Sequence, residues 1–151
     1  MKAFYFRLQK KLDISVQEEK AAKERVQACK AECERIAEEL SGVEDRIRQI
    51  QESIRVLSGE PGSYHKLLLK KEYLPVLKGN AHAIKENLHN AEKRLEEERK
   101  MLMAKMQETQ ILEKIKEKQW RDYMYQLQAE EQKVIDEAAA GSHLRKSRTI
   151  V

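Results

Sequence analysis

The chain has 151 residues, 37% of them charged and 5% aromatic, and its 30 basic and 26 acidic side chains leave a net charge of +4. This balance suits long, wetted helices better than a thick core, and so small and interspersed an excess of base gives no ground for a nucleic-acid partner. No apolar run approaches the roughly 18 residues that cross a bilayer, and the opening MKAFYFRLQKK has no uninterrupted apolar stretch of the kind a secretory signal needs, so a reducing cytosol is the expected compartment.

The first element is a helix expected from near Phe4 to near Leu57. From Val26 to Leu57 its apolar residues fall at steps of three and four without a miss: Val26, Cys29, Cys33, Ile36, Leu40, Val43, Ile47, Ile50, Ile54, Leu57. A seven-residue repeat keeps one stripe against a partner helix when the two wind left-handedly. Walked back, the stripe passes Ala22, Glu19, Ser15, Leu12 and Leu8. Ser15 and Glu19 are polar, so the seam should be soft there, and a charge at Ser15 should cost far less than one at Ile47. Cys29 and Cys33 both sit on the stripe and read as small packed residues. A metal site would need two more ligands, and no other His or Cys pair offers them.

After Leu57 the run SGEPGS, residues 58–63, breaks the helix. Residues 64–80 hold an apolar knot, Leu67, Leu68 and Leu69, with Tyr73 beside it. Pro75 and then Gly79–Asn80 supply a second break, so 64–74 is expected to be a short helix or folded lobe within a tip connector over 58–80. A second helix should run over 81–140. Its stripe begins in heptads at Ile84 and Leu88, then slips toward an eleven-residue repeat through Leu95 and Met106, and through Leu112, Tyr123 and Val134. A basic tail, 141–151, follows.

Matched helices around a short connector predict an all-α fold: one domain, a monomeric two-helix antiparallel coiled-coil hairpin with a short lobe at its tip. Leu57 should then lie near Ile84 and Val26 near Leu112, tight toward the tip and looser toward the termini. That arrangement would gather Lys2, Arg7, Lys10 and Lys11 with Arg145, Lys146 and Arg148, beside exposed Phe4, Phe6 and Leu8, as a docking end for an acidic protein surface.

The residues carry no catalytic pattern. There is no nucleophile motif and no phosphate-binding glycine loop. His82, Glu86 and His89 share a helix face, but nothing there orients ligands or excludes water. A two-helix hairpin has no interior in which to build a pocket. Neither an enzyme, a cofactor nor a bound metal is expected.

The opening FYFRLQKKLDISVQEEKAAK, an aromatic-basic start running straight into a charged helix, resembles the N-terminus of the FliJ family of flagellar export proteins. The segment LEKIKEKQWRDYMYQLQAEEQKVIDEAA, residues 112–139, is similar to the family's second helix. The resemblance implies a cytoplasmic coiled-coil stalk of the flagellar type III export apparatus. Such a stalk serves motility, lies against the inner face of the membrane, engages a hexameric export ATPase and contacts the membrane export gate and export chaperones. On this chain the hairpin geometry would give the ATPase Phe4, Phe6, Arg7, Leu8, Lys11, Val134, Arg145 and Lys146. The gate would take the tip, Leu67, Leu68, Leu69 and Tyr73. A stalk of an injection-type secretion system and a generic coiled-coil scaffold are the other readings.

Overall fold

The computed structural model describes residues 2–150, which form two helices and no strand. Helix α1 spans Gln9–Ser58 and helix α2 spans Tyr64–Thr149, and the two pack against each other as a helical hairpin. The contacts divide the chain into two units. One joins the chain up to Glu19 with the chain from Lys105 onward, and the other is Lys20–Ala104.

In the Lys20–Ala104 unit every seam position of α1 from Val26 to Leu57 is buried or half-buried, where the heptad placed it. The charged residues between them stay in water and pair along their own helix, as Arg35 does with Glu32 at 2.7 Å and Arg55 with Glu52 at 2.6 Å. The end of α1 tightens over its last turn. Ser58 Oγ donates to the Ile54 carbonyl at 2.7 Å, and the amides of Gly59 and Glu60 reach Val56 and Leu57 at 3.2 Å each. Gly62 then turns the chain with φ 88°, a left-handed value that a Cβ would resist. The Leu67 amide, bonded to the Ser63 carbonyl at 3.0 Å, begins α2.

The expected lobe is absent. Helix α2 runs unbroken for 86 residues through Pro75, Gly79, Asn80 and Gly141, so the connector is 59–63 and the second helix begins 17 residues before position 81. An interior proline removes one helical hydrogen bond and costs about 3 kcal/mol. Here Pro75 and Lys71, whose carbonyl loses its partner, both face solvent, where an unpaired acceptor costs little. The opposite side of the same turns holds the helix against α1: Leu67 and Leu74 are half-buried, and Leu77 and Ala81 are 2% and 5% exposed. The earlier turn shifts the register. Glu44 meets Lys85 at 3.8 Å and Arg25 meets Glu98 at 3.3 Å, so Ile84 lies level with Glu44 and not with Leu57.

In the terminal unit α1 starts at Gln9 rather than near Phe4, and residues 2–6 form a non-helical strap. The strap alternates: Phe6 is 4% exposed, Tyr5 is 79% exposed and Phe4 is half-buried. Burying two aromatic rings on α2 outweighs one more turn of helix. Phe6, Leu12 and Leu112 make the local core, with Phe4 packed on it, so Leu112 meets Leu12 and not Val26.

The eleven-residue slip of α2 is also overturned. The steps of three and four continue through Lys105, Thr109, Leu112 and Lys116, all buried or half-buried, while Met106 is 36% exposed and Val134 65%. Polar residues occupy seam positions here, which is why the apolar pattern misleads.

Nor is the terminal seam soft at Ser15. Ser15 and Thr109 are each 4% exposed, their hydroxyls 2.8 Å apart, and Thr109 also donates to the Lys105 carbonyl at 3.0 Å. Lys105 reaches Glu18 at 2.7 Å, a bond that raises its pKa. A carboxylate at Ser15 would therefore be buried, and the premise that it should cost less than one at half-buried Ile47 fails. Thr109→Val leaves the Ser15 hydroxyl buried without its acceptor and should cost about 1–3 kcal/mol. Adding Ser15→Ala should recover most of that loss. Urea melts of the two variants check this; equal losses would mean that the two hydroxyls do not pair.

Candidate functional site

The described residues offer two surfaces that sequence reasoning singled out, one in each unit. No group of three His, Cys, Asp or Glu among them is placed to hold a metal ion. His82 Nε2 lies 3.3 Å from Glu86 on the surface. The Cys33 thiol has its pKa raised, first by burial and then by Glu92 across the seam, which disfavours the reactive thiolate.

In the terminal unit the strap and α2 build an aromatic cluster. Phe4 meets the edge of Trp120 with ring centroids 5.0 Å apart and lies 5.5 Å from Tyr123, and Trp120 stacks on Tyr123 at 5.7 Å. Trp120 and Tyr123 are three apart and share a helix face. They stand where α2 has passed the start of α1, so the strap takes the place of the missing helix. Phe4 and Phe6 thus face inward, correcting the expectation of exposed aromatics, while Arg7 and Lys11 are exposed and Leu8 is 36% exposed.

The structure does not gather the two basic groups. Arg145 and Lys146 lie about 22 residues past Tyr123 on α2, roughly 33 Å away at about 1.5 Å per residue. Between them α2 runs without α1 alongside. From Gln128 to Ile150 every residue is exposed except the half-buried Gly141. Val134 and Ile135, 65% and 60% exposed, flank a shallow hollow floored by Leu127 and edged by Glu130 and Glu131.

In the unit that holds the turn, the leucine knot lies on the first turns of α2 rather than in a lobe. Leu67 belongs to the seam and is half-buried. Leu69, Tyr73 and Val76, at 66%, 44% and 54% exposure, form a separate outward stripe at helical spacing, with Leu68 beside it at 41%.

Sequence reasoning missed Trp120 and, except as a stripe position, Tyr123, and it missed Thr109, Lys105 and Val76. The signal for the first two was present: an F-x-F start needs an aromatic bed, and Trp120 is the only tryptophan. Lys105 and Thr109 gave none, since neither is apolar.

The chain matches the family model described as flagellar FliJ protein over residues 4–148. No curated protein and no solved structure matches it. The match covers nearly the whole chain, including the strap, both helices and the bare end of α2, and it makes this protein a member of the FliJ family of flagellar export-related proteins.

Proposed function

We propose that this chain is a coiled-coil stalk of the flagellar type III export apparatus, cytoplasmic and held against the inner face of the membrane at the flagellar base. In this reading it binds and stimulates a hexameric export ATPase and links it to the membrane export gate and to export chaperones. Family membership over residues 4–148 carries the reading. The shape of the terminal unit supports it. A ring must be threaded by something narrow, and past Tyr123 α2 is a single helix, about 10–12 Å across. Val134, Arg145 and Lys146 lie on that thin part, with Arg7, Leu8 and Lys11 at its base and the aromatic strap of Phe4 and Phe6 below them. The gate would take the other surface, where Leu68, Leu69 and Tyr73, together with Val76, expose an apolar face on the first turns of α2.

Co-purification with the hexameric export ATPase, followed by an ATPase assay, tests the reading. Arg7→Glu with Lys11→Glu should weaken stimulation several-fold, more at low salt than at high, because exposed charges act mainly on encounter and are screened by salt. A parent chain that neither binds nor stimulates the ATPase removes the reading. A parent that binds while this variant stimulates as well as it does removes the basic end as the contact.

A further inference from the structure

The part of α2 that has no partner helix carries its own complement. Its acidic residues come first, Glu130, Glu131, Asp136 and Glu137 against Lys133. Its basic residues come last, Arg145, Lys146 and Arg148. Small residues separate them, Ala138, Ala139, Ala140, Gly141 and Ser142. The α1-facing stripe of α2 continues into this stretch through Leu127, Val134, Ala138, Gly141 and Arg145, at steps of three, four and seven. Most helical stability in proteins comes from tertiary packing, which this exposed segment lacks, so a second helix alongside would stabilise it.

We infer that two copies of this chain pair through residues 127–149 of α2, antiparallel and centred on Ala138. In that register Glu130 and Glu131 stand opposite Lys146 and Arg145 of the second copy, and the symmetry makes each contact twice. Val134 stands opposite Ser142, a large residue against a small one, and Ala138 meets its own copy at close approach. Leu127 stands opposite Thr149. A parallel pairing is excluded by the same charges, since it would set the acidic stretch on the acidic stretch and the basic on the basic. A two-helix contact of this length is small beside a standard protein interface, so the association depends on concentration and weakens with salt. It replaces the expectation of a strict monomer. It also covers Val134, Arg145 and Lys146, so a free chain would keep its thin end occupied until another partner displaces the copy.

Sedimentation equilibrium of the full chain over a wide concentration range, at low and at high salt, tests this without any other protein. The parent should show a reversible monomer–dimer equilibrium that shifts toward monomer as salt rises. Glu130→Arg with Glu131→Arg should weaken the dimer at least tenfold, and Arg145→Glu with Lys146→Glu likewise. The equimolar mixture of the two variants should restore association as a heterodimer. Circular dichroism controls for folding, and Glu130→Gln with Glu131→Gln, which introduces no new charge, should weaken the dimer by less than the reversal. A parent that stays monomeric at every concentration overturns the inference. So does a dimer that neither reversal weakens, or a mixture that fails to associate. Because no ATPase is present, none of these outcomes bears on the stalk reading.

Discussion

Leu112→Asp should destabilise the protein by roughly 3–5 kcal/mol, because it sets a carboxylate among Phe6 and Leu12 in the local core. Leu112 is 7% exposed and is the residue of α2 that both the strap and α1 touch. On the same helix Ile135→Asp, at a position 60% exposed, should stay within about 0.5 kcal/mol in dilute solution. Urea denaturation followed by circular dichroism measures both. Similar losses at the two sites would mean that the bare stretch of α2 is packed in solution or that the terminal core is not.

The second large effect belongs to the strap. Phe4→Ala with Phe6→Ala removes the ring that meets the edge of Trp120 and the ring buried over Leu12 and Leu112. Each deletion costs up to about 3–5 kcal/mol where the site cannot collapse. Trp120 is the only tryptophan, so its emission reports the strap directly and should shift to the red as the ring is wetted. Stimulation of the export ATPase should fall several-fold at every salt concentration. Phe4→Leu with Phe6→Leu keeps most of the apolar volume and should recover much of both signals. If stimulation falls while Trp120 emission stays that of the parent, the phenylalanines touch the partner directly and the strap does not pack as described. If emission shifts and stimulation does not, the strap is structural only.

Much of the fold could be read from the chain because one residue type answered one physical need. Val26 to Leu57 repeats every seven residues, and each of those positions is buried or half-buried. The two-helix hairpin and its antiparallel sense followed from that seam and from the glycines and proline of 58–63. The register did not follow. Pro75 and Gly79–Asn80 carry strong local signals for a break, and tertiary burial of Leu77 and Ala81 overrode them. Once the turn moved, every cross-helix pair moved with it, which is why Leu112 meets Leu12. The terminal surface was half legible. Phe4, Phe6, Arg7 and Lys11 were singled out by type, but type does not tell an outward ring from an inward one. That distinction needed Trp120 and Tyr123, more than a hundred residues away.

That distance has a consequence for how the chain comes into being. Ser15 and Thr109 are 94 residues apart in sequence, whereas the seam beside Gly62 closes over a handful. Closing a short loop costs less entropy than closing a long one, and short-range contacts form sooner. The hairpin should therefore zip from the turn outward, with the aromatic cluster as its last event. During synthesis the N-terminus emerges first, so Phe4, Tyr5 and Phe6 must wait, uncovered, until Trp120 leaves the ribosome. For that interval the nascent chain presents two phenylalanine rings that the finished protein turns inward, and this is the stage at which a holding factor would find them.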